Sequence, residues 1–371
     1  MKVMLLSSYL PRPHVPGNVP FISSRIKALI KKNIDVRSFL VSNTSEVDYN
    51  FKDIGLFEHQ VKVMNFYFED CWEDKNKILD LIESLKDQYY KSGCDIIHAH
   101  AAFPAGYIAS LLKDKYNISY VLTIHGSDIH TTPFEDNQFS RQVKELTIKA
   151  LKKAECVISV SDFLIKKAFL LTDKIKRFEI IPNGIDSMFK NSTKKNKKEE
   201  VVLGFIGNLI SVKGADRVLP VFRKVKEYAN ETKLIIIGDG DLKEKISNDI
   251  EEKEKEDILL TGRIPHNEIP IILSKIDILF LPSRNEGWPC IINEALATKT
   301  PVIGVDNGGI REAIGDSKYV VYADEHIIDR LSQKIIEVIK NGYNEELYLK
   351  AQNMTWDVII QKEIDIYRMF L

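Results

Sequence analysis

Short, almost wholly apolar runs recur along this chain, each separated from the next by a longer stretch whose apolar residues follow helical spacing. That alternation constrains the fold more than any other feature. Val3–Ser7, Asp35–Val41, Asp95–Ala99, Tyr120–Ile124, Cys156–Val160 and Glu179–Ile181 read as strands. Strands buried on both faces lose the in-out alternation of a half-exposed sheet, as happens in parallel sheets covered by helices. Pro20–Lys32, Trp72–Lys91, Ala105–Tyr116 and Ser140–Lys153 supply the intervening helices. The expected class is α/β with doubly wound parallel sheets.

The pattern stops once and restarts. After Pro182-Asn183-Gly184-Ile185-Asp186 comes Ser187–Glu200, polar and rich in lysine, without apolar periodicity. Such a stretch reads as a linker. Strands then resume at Val201–Ile206, Lys233–Ile237, Ile258–Thr261, Ile278–Leu281, Pro301–Val305 and Tyr319–Tyr322. A chain of 371 residues has room for two cores. The organisation read from the sequence is a Rossmann-like domain over 1–186, a linker over 187–200 and a second Rossmann-like domain over 201–355. Val358, Ile359, Ile366, Tyr367 and Phe370 suggest a further helix within 356–371.

Composition narrows the function classes. A net charge of −1 gives no global reason to bind nucleic acid. Cys71, Cys94, Cys156 and Cys290 are scattered, with no CxxC and no His/Cys cluster, which argues against a disulfide framework and structural zinc and for a reducing compartment. No run approaches 18 apolar residues, and Met1–Ser8 is too short for a signal-peptide core, so a cytoplasmic protein is expected. Segment 140–199 carries 15 Lys/Arg against 7 Asp/Glu. Lysines beside apolar residues, as in Phe163–Leu171, can dock on an anionic membrane surface, and an ordinary solvated face explains them as well.

The most informative motif is Arg284-Asn285-Glu286-Gly287-Trp288-Pro289-Cys290-Ile291-Ile292-Asn293-Glu294-Ala295-Leu296-Ala297, which follows the strand Ile278–Leu281. It places one carboxylate, Glu286, in a loop and a second, Glu294, inside the helix that the loop opens. Ligands of such sheets sit beyond the carboxyl ends of strands, where helix N-termini offer free N–H groups. A plain helix start with acidic residues in its first turns reads from the same letters. Gly204–Gly214 follows another strand and carries Lys213, a point positive charge suited to a diphosphate. Its spacing fits neither a Walker A loop nor GxGxxG, and an ordinary strand-to-helix turn fits it too. Histidines close two strands of the first half, at Asp95-Ile96-Ile97-His98-Ala99-His100 and Leu122-Thr123-Ile124-His125-Gly126-Ser127-Asp128. Imidazoles at strand ends are site candidates because they donate and accept near neutral pH. Asp239-Gly240-Asp241 reads as a turn, and no metal site or cofactor is expected.

Glu286-Gly287-Trp288-Pro289 with Glu294-Ala295 and the following Pro301-Val302-Ile303 resembles the donor-site signature of the retaining glycosyltransferases of family 4. The resemblance implies the GT-B fold, two Rossmann-like domains facing across a cleft, with the last helix crossing back onto the first domain. It implies that Glu294 holds the ribose hydroxyls of a nucleotide-sugar donor and Glu286 the hydroxyls of the donor sugar. Gly287, Trp288, Cys290 and Ile291 would flank them, and Arg263 in Gly262-Arg263-Ile264-Pro265-His266 would lie by the base. Lys213 matches one of two basic residues that neutralise the diphosphate, and Asn208 stands where the other, an arginine, is usual; Arg12, Arg284 or Arg311 is then a replacement cation.

His125 would face the reacting sugar, with His98, His100 and Asp128 supporting it. Gly17 falls in the slot of the family's glycine-rich loop, although a proline-rich surface turn reads equally there. The Gly308-Gly309-Ile310-Arg311-Glu312 turn is explained as well by local packing. The resemblance implies retention by same-face displacement, with the leaving phosphate oxygen taking the acceptor proton. The expected partners are a nucleotide sugar, UDP-linked for preference, and a glycan or lipid-linked glycan acceptor of bacterial surface polysaccharide synthesis. An epimerase on the same scaffold, or a non-catalytic sugar-nucleotide binding protein, remains open from sequence.

Overall fold

A computed structural model of the protein describes residues 1–8, 20–42, 62–65, 75–191 and 200–371. Arg12 and Gly17 lie outside the described residues. The chain divides into two compact units, Met1–Asn183 with Trp356–Leu371, and Gly184–Thr355.

The first unit is built on seven parallel strands: β1 (Lys2–Ser7), β2 (Asp35–Ser42), β3 (Lys62–Asn65), β4 (Ile96–His100), β5 (Tyr120–Ile124), β6 (Cys156–Ser159) and β7 (Phe178–Ile180). Their order is β3-β2-β1-β4-β5-β6-β7. β4 and β5 are buried at every position, His98 and His100 of β4 and Thr123 of β5 included. β3 has no counterpart among the strands read from sequence. The expected helices are present, at Pro20–Lys31, Lys75–Ser92, Tyr107–Tyr116 and Gln138–Lys153.

Helix Trp356–Arg368 completes this unit. Its Ile359, Ile360, Ile364 and Tyr367 share one core with Ile22, Ile26 and Leu29 of helix Pro20–Lys31 and with Val3 and Leu5 of β1. Lys31 and Asp357 pair at the surface of the same contact, at 2.5 Å.

The second unit carries six parallel strands: β8 (Val201–Ile206), β9 (Thr232–Ile237), β10 (Ile258–Gly262), β11 (Ile278–Leu281), β12 (Val302–Val305) and β13 (Val320–Val321). The order is β10-β9-β8-β11-β12-β13. Leu203, Phe205, Leu279 and Phe280 of the central strands pack with Val218, Phe222, Ile292 and Leu331 of the covering helices. Ser187–Asn191, inside the lysine-rich segment, is a short 3-10 helix of this unit, and its Phe189 is fully buried in the unit's core. The chain is thus an α/β protein of two parallel doubly wound units.

In both sheets the strand order reverses beside the first strand, between β1 and β4 and between β8 and β11. Connections leave the sheet in opposite directions there, opening a crevice at the strand carboxyl ends. Among the described residues no helix is long and apolar enough to cross a membrane.

Candidate functional site

At the reversal point of the second sheet, the loops after β8 and β11 meet. The Arg284 N–H donates to the Val212 carbonyl at 2.8 Å and ties one loop to the other. The β8 loop tightens into a 3-10 turn over Ser211–Lys213, closed by the Gly214 N–H on the Ser211 carbonyl. Lys213 leaves that turn toward Glu286, its Nζ standing 2.7 Å from Oε1 and 2.6 Å from Oε2. Ser283 Oγ adds a hydrogen bond to Oε1 at 3.1 Å. Glu286 is buried, its side chain 8% exposed, while Lys213 keeps 28% of its side chain in solvent. A carboxylate so buried requires a partner of opposite charge, and Lys213 is that partner.

The backbone of Glu286 is held as firmly as its side chain. Its carbonyl accepts the Gly309 N–H at 2.9 Å. Gly308 sits at φ +66°, and a Cβ there would stand 1.9 Å from the Glu286 oxygen. The Gly308-Gly309 turn is therefore a clamp on Glu286, a role that sequence spacing does not reveal.

Glu294 lies one turn into helix Cys290–Ala297. His266 Nε2 donates to its Oε1 at 2.8 Å, and the other ring nitrogen of His266 stands 3.7 Å from Asp186 Oδ2. The ring rests 5.3 Å from that of Phe189. The sequence displays His266 next to Arg263, but nothing in its local pattern marks it as a partner of Glu294, 28 residues on. Between the two carboxylates Gly287 is buried, and Trp288, Cys290 and Ile291 are half-buried. The Trp288 indole N–H is shielded from solvent and has no hydrogen-bond partner among the described residues. Asn208 and Arg263 are exposed on the loops after β8 and β10.

Two of the cations considered as substitutes for the missing arginine are committed elsewhere. Arg284 forks onto Asp216 with two contacts of 2.7 Å and also donates to the Ser211 carbonyl. The hydrogen bonds from Arg284 hold the Asp216 carboxyl below its usual range. Arg311 pairs with Asp306, its Nε donating at 2.8 Å. Asp239 meets Lys243 at 3.3 Å and accepts the Gly240 N–H, as a turn residue does.

The first unit gathers its histidines at the carboxyl ends of β4 and β5. His98 is buried between Tyr367 OH, 2.6 Å from Nδ1, and Thr123 Oγ1, 2.7 Å from Nε2. The His98 and His100 rings lie 4.1 Å apart, and His100 Nδ1 is 3.0 Å from His125 Nε2. Burial pushes the pKa of all three imidazoles well below the ordinary histidine value, with the Arg25 charge adding to it. They are neutral at pH 7.

Asp128 is the staple beneath His125. Its Oδ1 accepts the N–H groups of Gly126 and His125 at 2.8 and 3.2 Å, and its Oδ2 accepts that of Ala102 at 2.9 Å. Burial raises the Asp128 pKa and those three backbone donors pull it back. This carboxylate therefore fixes the loops after β4 and β5 relative to each other. The second unit supplies a cation on one sheltered carboxylate and a second carboxylate on the helix that follows, and the first unit a row of neutral imidazoles.

Comparison with known proteins bears on both units. Residues 14–188 match the family described as Glycosyltransferase Family 4, and residues 187–354 match Glycosyl transferases group 1. A glycosyltransferase of Methanocaldococcus jannaschii with no assigned substrate is 26% identical over 344 residues, 92% of this chain and 89% of that one. The Escherichia coli UDP-Gal:alpha-D-GlcNAc-diphosphoundecaprenol alpha-1,3-galactosyltransferase is 26% identical over 78% of this chain and 81% of its own. Among solved structures, the Anabaena protein HepE in complex with UDP has the same fold, with a TM-score of 0.74, 16% identity and full coverage of both chains.

Proposed function

Because this chain belongs to the family 4 glycosyltransferases of the GT-B class, we propose that it transfers a sugar, with retention, from a UDP-sugar to a hydroxyl of a lipid-linked glycan. The observation that carries the reading is the Lys213–Glu286 pair, with Glu294 on the helix that follows, at the reversal point of the second sheet. Lys213 stabilises the departing diphosphate, where negative charge builds in the transition state. Glu286 takes hydroxyls of the donor sugar and Glu294 the ribose diol. His125, neutral and oriented by His100 and Asp128, hydrogen-bonds the sugar without adding charge beside the anomeric carbon. Retention follows a same-face displacement in which the leaving phosphate oxygen takes the acceptor proton.

The lipid-linked acceptor is supported by the diphosphoundecaprenol substrate in the name of the Escherichia coli relative. It is also supported by exposed Phe169 and Leu170 next to Lys166 and Lys167 on helix Asp162–Leu171, a surface suited to an anionic membrane. Bacterial surface polysaccharide synthesis, on the cytoplasmic side of the membrane, is the setting that fits both.

The test is thermal unfolding with UDP, GDP and ADP, on the natural chain and on Glu294→Ala. UDP at 100 times its dissociation constant stabilises by about 2.7 kcal/mol, and the variant loses that shift. No shift with any nucleotide rules out the donor site described above.

A further inference from the structure

The residue that holds Glu294 is as informative as Glu294 itself. A glutamate side chain has three rotatable bonds, and gripping a vicinal diol with both oxygens requires them to be fixed beforehand. Here Glu294 Oε1 already accepts a hydrogen bond from His266 Nε2 at 2.8 Å, leaving Oε2 and one lone pair of Oε1 for a ligand. The carboxylate can only accept, so His266 carries a proton on Nε2.

His266 is in turn held from behind. Its Nδ1 faces Asp186 Oδ2 at 3.7 Å, and Phe189 packs against its ring at 5.3 Å. Both belong to the stretch that opens the second unit, immediately after the first unit hands over at Asn183. Carboxylate, imidazole and carboxylate thus form a line joining helix Cys290–Ala297, the turn His266–Glu268 and the segment Gly184–Asn191. Outer partners of this kind orient the group that touches the ligand.

We propose that His266 is the positioning residue of the ribose subsite: it presets the Glu294 carboxylate for a nucleotide 2′,3′-diol and, through Asp186 and Phe189, ties that subsite to the segment Gly184–Asn191. The proposal rests on the assignment of Glu294 to the ribose. His266 itself does not touch the nucleotide. Its loss therefore weakens the diol contact while sparing the rest of the ligand.

The experiment compares UDP with 2′,3′-dideoxy-UDP by calorimetry, using the full chain and its His266→Ala, His266→Gln, Glu294→Ala and double His266→Ala/Glu294→Ala variants. The natural protein should favour UDP by about tenfold or more, the value of hydrogen bonds to a charged group. His266→Ala should lose most of that preference and keep its affinity for the dideoxy analogue. His266→Gln, whose amide can still donate to the carboxylate, should recover part of it. The double variant should bind UDP no more weakly than Glu294→Ala alone, because the two residues act through one contact. A His266→Ala protein that keeps the full preference overturns the proposal. So does one that loses affinity for both nucleotides equally, which marks His266 as structural. A natural protein with no preference for UDP removes the ribose assignment of Glu294 itself, a failure distinct from the other two.

Discussion

Arg25 and Glu363 stand 338 residues apart in sequence and 2.9 Å apart in space, both side chains fully buried. Asn183 Oδ1 accepts from Arg25 Nη2 at 3.3 Å, and the guanidinium lies 5.1 Å from the centre of the Trp356 ring. Tyr367, one turn after Glu363, carries the contact on to His98. A pair so deeply buried stabilises little against an apolar replacement, but breaking it by removing one partner is expensive.

Glu363→Ala should therefore cost about 3–5 kcal/mol, since it strands the Arg25 charge. The double replacement Arg25→Met with Glu363→Leu should recover most of that loss. Urea unfolding of the three proteins decides it. A double variant as unstable as the single one shows that Arg25 matters for its hydrogen bonds to Asn183 rather than for its charge.

Mild acid should weaken the first unit through its buried histidines. His98, His100 and His125 are held neutral well below their ordinary pKa. The unfolded chain takes up protons on them from about pH 6.5 downward and the folded chain does not, so stability falls as pH drops from 7 toward 5. Asp128 and Glu363, raised by burial, act in the opposite direction and make the fall shallower. Each histidine contributes at most about 1.4 kcal/mol per pH unit. Urea midpoints at pH 7 and 5.5 should show the fall, with a shallower slope in His100→Asn. An equal slope in that variant contradicts a buried neutral His100.

A methyl group on Gly308 separates backbone strain from collision. Gly308→Ala suffers both, because its Cβ would meet the Glu286 carbonyl at 1.9 Å. Gly342 has a similar φ, +77°, with nothing within 4 Å of the added carbon. Gly342→Ala should cost about 1–3 kcal/mol, the cost of its φ +77°, ψ −170° backbone alone, a region essentially reserved for glycine. Gly308→Ala should cost clearly more and should also weaken UDP binding, since Glu286 must move. Equal melting shifts in the two variants would mean that the clamp yields without cost.

Replacing Lys213 by methionine should lower kcat about a hundredfold or more if its charge stabilises the departing diphosphate. Lys213→Arg should retain part of the rate. The readout is UDP release from a UDP-sugar with acceptor present. A methionine variant with the natural rate would move the leaving-group role to another residue.

The sequence displayed what is local. β5 and β12 are short, mostly apolar runs buried at every position, and they were legible for that reason. β3 is four residues long at the sheet edge, with apolar residues only at Val63 and Met64, so no periodicity marks it. Glu286 and Glu294 share one motif and could be found together. The His266–Glu294 contact, the Gly308 clamp and the Arg25–Glu363 pair could not, because each joins segments that the fold alone brings together. Phe189 was masked by its surroundings: the lysines around it describe a solvated stretch, and a single inward-facing ring does not alter that average.

The placement of Trp356–Arg368 in the core of the first unit sets a timetable for synthesis. Gly184–Thr355 is one uninterrupted stretch and can close its sheet as soon as it has left the ribosome. The first unit begins earlier and finishes later. Its groove along Ile22, Ile26 and Leu29 stays uncovered, and Arg25 stays without a counter-charge, for the roughly ten to thirty seconds that translation of the second unit takes at ~5–20 residues per second. The first unit is therefore begun before the second and completed only after it.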